Sequence, residues 1–329
     1  MSKVIDVHTH MYTSGWLNLL KQKGGPDLTV VAGLDSPETV CYKGASFCVL
    51  EPPHFDFELR IKNMEKAGVD MAVVSMPPPG VIWGKGKICL EAAQMTNNEF
   101  AQAQIDHPQQ IRWMAVLPWE MPKLALEEIK RACDIGAVAV IVHGSINGRH
   151  LTDPDFAPIW QELDDRALPV LVHPTYPIGT ELMELDRYAL IASTGFMIDT
   201  TLAISKMVFD GFFDRYPNLK IIASHAGATL PYLAGRFDRV YDTTERAKVK
   251  ISKHPSEYLK HIYYDSVTYT QSALDLCIDV ATPEHVLYGS DYPFNLGDME
   301  GCLGRVNELP ENVKHKVRGD NAERIFNLK

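Results

Sequence analysis

The chain has 329 residues, 46% of them hydrophobic and 22% charged, which is enough apolar side chain for a large core and argues against disorder. A formal net charge of -10 excludes the basic footprint of a nucleic-acid binder. No apolar signal-peptide core follows Met1, and no apolar run of about 20 residues is read as a membrane span, so neither nucleic acid nor membrane is an expected partner.

Short β-branched runs alternate with longer amphipathic stretches along the whole chain. The runs predict eight strands, at 3–10, 70–76, 111–118, 137–143, 168–174, 219–225, 262–268 and 285–291. Most are nearly continuously apolar, as parallel strands covered on both faces require. Helical spacing appears at 57–68, where Gly68 is the stop, and at 124–136, 200–213, 230–241, 271–281 and 312–327. Repeated strand–helix units predict a single-domain (β/α)8 barrel over residues 1–329. An open doubly wound sheet would want a glycine-rich phosphate loop after the first strand, and none is there. Two long connections, 11–56 and 176–195, follow the first and fifth strands on the side where barrels place their sites, and the first reads as a cap over the mouth.

The six cysteines, Cys41, Cys48, Cys89, Cys133, Cys277 and Cys302, form no CxxC pair and read as small buried hydrophobes with free thiols, which points to a reducing cytoplasm.

The strand ends carry the chemistry. Side chains alternate along a strand, so His8 and His10 of Asp6-Val7-His8-Thr9-His10 face the same way, into the barrel mouth. His173, His225 and Asp291 stand at the ends of three further runs. Four imidazoles and a carboxylate converging on one mouth need a compensating ion or protons, so the set predicts a metal. His143 ends the fourth run and faces the same mouth, as a substrate contact or as support. Asp265 either orients a ligand histidine or caps the next turn. Asp6 reads as structural.

The Asp-Val-His-Thr-His opening, His173-Pro174, Ser224-His225-Ala226-Gly227 and Gly289-Ser290-Asp291-Tyr292-Pro293-Phe294 resemble the amidohydrolase superfamily. Within it the chain is similar to the aminocarboxymuconate-semialdehyde decarboxylase and γ-resorcylate decarboxylase group. Arg60-Ile61-Lys62-Asn63-Met64, Pro231-Tyr232-Leu233 with Gly235-Arg236, and Gly319-Asp320-Asn321-Ala322 extend the likeness through the chain. The resemblance implies that His8, His10, His173 and Asp291 hold the metal, and that His225 works as acid or base beside Asp291. The fourth strand lacks the lysine that bridges two metals in binuclear members, which implies one divalent ion, zinc in the first place and manganese as the alternative. It also implies a homodimer or higher homo-oligomer in which Arg236 holds a substrate carboxylate in a neighbouring subunit's site. One departure stands out: no arginine precedes Arg60, where the decarboxylases carry one, and Lys43 is the nearest substitute. Trp16, Phe47, His54, Phe55, Trp83, Trp119 and Tyr176 supply aromatic surface near the mouth.

These readings lead to a cytoplasmic, metal-dependent, non-oxidative decarboxylase of a small aromatic or unsaturated carboxylic acid. A hydrolase or hydratase of a related acid could use the same centre, and a non-catalytic metal- or ligand-binding barrel is the alternative outside enzymes.

Overall fold

The computed structural model describes residues 3–32, 37–42, 45–84 and 86–328, so Lys43 lies outside the described residues. Eight parallel strands follow one another round a barrel: β1 (Ile5–His10), β2 (Met71–Ser75), β3 (Ile111–Ala115), β4 (Ala139–His143), β5 (Pro169–His173), β6 (Lys220–Ala223), β7 (Tyr263–Asp265) and β8 (Val286–Leu287). Backbone bonds close the seam between β1 and the segment after β8: Val7 donates to Tyr288, Asp291 to His8, and His10 to Tyr292. Each apolar run lies where the sequence places it, because strands buried on both faces leave an unbroken apolar signature.

The ladders end sooner than the runs do. β6 stops at Ala223 and β8 at Leu287. His225 and Asp291, at φ 54° and 59°, have already turned into the left-handed region. That conformation costs a non-glycine residue roughly 1 kcal/mol or more and concentrates at functional sites.

The helical layer contains α2 (Phe57–Ala67), after α1 (Ser14–Lys23) in the cap, then α3 (Lys87–Asp106), α4 (Pro122–Asp134), α5 (Ala157–Asp165), α6 (Phe196–Phe209), α7 (Leu230–Thr243) and α8 (Gln271–Ala281). α2 ends at Gly68, as expected. α6 starts and ends four residues earlier than the apolar pattern suggests, because the chain leaves the helix at Asp210 and Gly211, which has φ 68°. The expected final helix is broken into Glu311–His315, a π turn at Lys316–Asp320, and Asn321–Ile325. α3 escaped the periodicity because part of its buried face is polar. Asn97 there donates to Glu128 and to the Val116 carbonyl.

The connection after β1 is a folded cap rather than a loop. It holds α1 and an antiparallel sheet of Leu28–Val31, Thr39–Tyr42 and Ala45–Val49. The stretch Arg187–Phe209 is long and apolar enough to cross a membrane by length and composition alone, with mean hydropathy 1.2. Here it belongs to the barrel. A turn at Tyr188 breaks it, and Ile204, Met207 and Val208 enter the core.

Candidate metal centre

β1 turns His8 and His10 to one face, and both are fully buried at the barrel mouth. Each imidazole is fixed through one nitrogen. His8 Nδ1 meets Asp265 Oδ2 at 2.5 Å. His10 Nδ1 meets Ser75 Oγ at 3.0 Å, while that hydroxyl donates to the Thr9 carbonyl at 3.3 Å. His173 Nδ1 donates to the Pro174 carbonyl at 2.9 Å. Three protonated Nδ1 atoms leave three Nε2 lone pairs aimed inward.

Those three Nε2 atoms and Asp291 Oδ1 are buried with no hydrogen-bond partner. All four lie within 4.8 Å of one another. Asp291 Oδ1 stands 3.4 Å from His8 Nε2 and 3.2 Å from His10 Nε2. A tetrahedral ion with bonds of about 2.0–2.1 Å separates its ligand atoms by about 3.4 Å, which the two separations from Asp291 Oδ1 match. Orphaned buried acceptors are expensive, and a divalent cation satisfies all four at once.

The electrostatics agree. Burial opposes charge on His8, yet Asp265 and then Asp291 outweigh it and hold its pKa at about 10. Two carboxylates thus demand a positive charge between them. Burial pushes His10 down to about 4 and, with the neighbouring imidazoles, takes His173 well below its ordinary value. Burial would raise Asp291, but the imidazoles of His10, His225 and His8 close around it hold it well below the usual carboxylate range.

His225 differs from the other three. Its Nε2 is 3.4 Å from Asp291 Oδ2, and its Nδ1 is buried without a partner. The left-handed turn that presents it hangs from Asp265, whose carboxylate accepts the N–H groups of His225, Ala226 and Val267 at 2.8–2.9 Å. Gly227 makes that turn feasible: it has φ 73°, and a Cβ there would come within 2.5 Å of the Tyr264 ring. Gly289 leaves room in the same way, since a Cβ would meet that of His8 at 2.8 Å.

A cavity of about 1000 Å³ opens above the centre, with His173, His225 and Asp291 in its wall. Phe47, Tyr176, Phe196, Tyr232 and Phe294 add aromatic surface to a mostly apolar wall, and no lysine or arginine lines it among the described residues. The amidohydrolase family model matches residues 5–328. The chain belongs to the amidohydrolase family.

Among its amidohydrolase relatives is the 2-amino-3-carboxymuconate-6-semialdehyde decarboxylase of Dictyostelium discoideum, 27% identical over 98% of this chain and 91% of that protein. The 6-methylsalicylic acid decarboxylase of Penicillium expansum is 27% identical over 98% of this chain and 95% of its own length. A dihydroxybenzoic acid decarboxylase from a Polaromonas species, solved with manganese and the inhibitor 2-nitroresorcinol, shares the fold. It superposes with a TM-score of 0.84 at 22% identity, covering 100% of this chain and 98% of that one. The cluster of His8, His10, His173 and Asp291 supports a divalent metal.

The remaining expected site residues lie further out. His143 is in register with His173 on the adjacent strand, but it packs beneath Gly80 outside the cavity wall, and burial lowers its pKa to about 4. Arg236 is exposed on α7, one turn beyond Tyr232, and does not reach the cavity of its own chain. Of the aromatic residues expected at the mouth, Phe47, His54 and Tyr176 line the cavity, whereas Trp16 is buried and stacked on Tyr12. Asp6 is structural, accepting from Ser290 Oγ at 2.5 Å across the seam. Asp265 performs both of the roles left open for it. Ser75 gave no signal, because a serine ending a strand is unremarkable until its hydroxyl is seen against His10.

Proposed function

We propose that this amidohydrolase is a metal-dependent, non-oxidative decarboxylase of a small aromatic carboxylic acid. One observation carries the reading. Three Nε2 atoms and Asp291 Oδ1, all buried and unpartnered, form a ligand set on the floor of an apolar cavity, with His225 beside them. The relatives named above are decarboxylases, which favours this chemistry over hydrolysis at the same centre. A purely binding role would want a closed centre, and this one opens onto the cavity.

His8, His10, His173 and Asp291 would hold the ion. When bound, a divalent ion acts as a Lewis acid on the substrate's oxygens and fixes their orientation. Three imidazoles with one carboxylate suit zinc, and manganese, present in the Polaromonas neighbour, is the alternative. The cavity's aromatic wall orients the ring and excludes water. The His225–Asp291 pair supplies the proton. A proton adds to the carbon bearing the carboxylate, the bond to the carboxyl carbon breaks, its electron pair stays with the ring, and CO2 leaves. Nothing is oxidised or reduced, so no organic cofactor is needed.

We read residues 1–329 as one domain. Arg236 is assigned to a substrate carboxylate in the site of a neighbouring copy. Its exposure, its lack of a partner within its own chain among the described residues and the cation-free cavity wall support this. His143 is assigned to support of His173. A reducing, cytoplasmic location is supported by six free cysteines, five of them buried.

The test is elemental analysis for metal, followed by assay of native, chelated and metal-restored enzyme on carboxylated phenols, with CO2 as the readout. CO2 release that is lost on chelation and returns with the ion is the expected result. A metal-bearing enzyme that hydrolyses its substrate without CO2 release would overturn the reading.

A further inference from the structure

Arg60 is fully buried on α2, yet no carboxylate lies within ion-pair distance of its guanidinium among the described residues. Burying an unpaired cation is costly, so what it touches must justify its place. Every partner belongs to the two segments that carry metal ligands. Nη1 donates to Thr9 Oγ1 at 2.6 Å, Nη2 donates to the His10 carbonyl, and Nε points to Met11 Sδ at 3.0 Å. The guanidinium also lies 4.7 Å above the centre of the Tyr292 ring.

Tyr292 directly follows Asp291, and its hydroxyl accepts from Asn63 Nδ2 at 2.7 Å. Arg60 and Asn63 are three residues apart and so share one face of α2. That face grips β1 and the segment after β8 where the barrel closes. The Tyr292 carbonyl in turn accepts from His10 N at 2.7 Å and Thr9 Oγ1 at 3.2 Å.

We propose that Arg60, assisted by Asn63, is a positioning residue that latches the barrel seam and so holds His10 and Asp291 in register for one ion. The inference rests on the metal-centre reading above. The planar fork matters: it reaches a hydroxyl and a carbonyl together while stacking on a ring, which a lysine ammonium cannot do. His10 and Asp291 come from opposite ends of the fold's strand order, so a small slip at the seam separates them directly.

The test loads wild type, Arg60→Lys, Arg60→Met and Asn63→Ala with Co2+, confirms their folding by circular dichroism, and then adds a competing chelator. Both retention of Co2+ and its visible absorption band are read, since the band reports coordination geometry. Folded Arg60 variants should hold Co2+ about 10- to 100-fold more weakly, as loss of an outer support does, with an altered band, and lysine should not rescue. Asn63→Ala should move both readouts the same way and less. A folded Arg60 variant with wild-type retention and band overturns the latch. If neither Arg60 variant folds, Asn63→Ala decides, and unchanged readouts there overturn it. Wild type that holds no Co2+ overturns the metal reading instead.

Discussion

Asp265 Oδ2 lies 2.5 Å from His8 Nδ1, and the same oxygen receives the backbone N–H of His225 at 2.8 Å. One carboxylate therefore sets His8, the proposed ligand, and His225, the proposed acid–base group, together. Its other oxygen accepts from Ala226 and Val267, so both oxygens face N–H donors. In Asp265→Asn the amide NH2 meets two donors whichever way it turns. We expect the variant to bind metal about 10- to 100-fold more weakly, and chelator competition measures this directly. Wild-type retention would remove Asp265 from the support of the centre.

His225 and His173 should separate cleanly. His225→Ala removes a group 3.4 Å from Asp291 Oδ2 without deleting a member of the ligand cluster. Metal content should stay near wild type while kcat falls by roughly a hundredfold or more. His173→Ala deletes one of the four clustered donors and should empty the centre. Elemental analysis of the two variants side by side distinguishes these outcomes, and metal loss in His225→Ala would make that residue a ligand.

The barrel was legible in the sequence because eight parallel strands, covered on both faces, print eight apolar runs. The candidate cluster was legible for a related reason: an ionisable residue ending such a run stands out against it, as His173 does after Leu171-Val172. What escaped depends on groups that meet only in space. The sequence offered Asp265 as an orienter of some histidine, but nothing near it announces which one, His8, 257 residues away. The left-handed turns at His225 and Asp291 were invisible for another reason, since φ is not written in hydrophobicity, and the apolar runs simply appeared to continue through them. The cap sheet was lost among glycines and prolines, because four-residue strands such as Leu28–Val31 are too short to declare a period.

Asp199 makes the fold pH-sensitive in a direction that can be worked out. Its carboxylate accepts the Thr175 N–H at 2.9 Å and lies against Gly144, just beyond the strand ends that bear His173 and His143. Burial raises its pKa from 3.8 to about 6. Between those values the unfolded chain has already released a proton that the folded chain retains. The contribution of Asp199 to stability is therefore greatest below about pH 4 and declines as pH rises through about 6. Asp199→Asn does not titrate, so it should gain on wild type over that window, by up to about 3 kcal/mol. Urea unfolding of both proteins at pH 4.0 and about 7 tests the sign. A fall in the stability of Asp199→Asn relative to wild type between those two pH values would contradict it.

Arg236 bears on the assembly. A charge-assisted contact to a substrate carboxylate is worth about 1.5–3 kcal/mol, so Arg236→Ala should lower kcat/KM by about 10- to 100-fold. An exposed side chain without a partner among the described residues of its own chain should leave the melting temperature unchanged when replaced. If the contact crosses between copies, the lesion sits on one subunit and the damaged site on the other. Mixing Arg236→Ala with His225→Ala under conditions that exchange subunits then creates hybrids in which one site has both an intact His225 and an intact Arg236. In a twofold-symmetric dimer mixed equally, about a quarter of all sites regain both groups. Activity should rise towards that fraction of wild type, well above the mean of the two variants alone. Arg236 acting within its own chain would produce no rise, because every hybrid site would then inherit a lesion from one parent or the other.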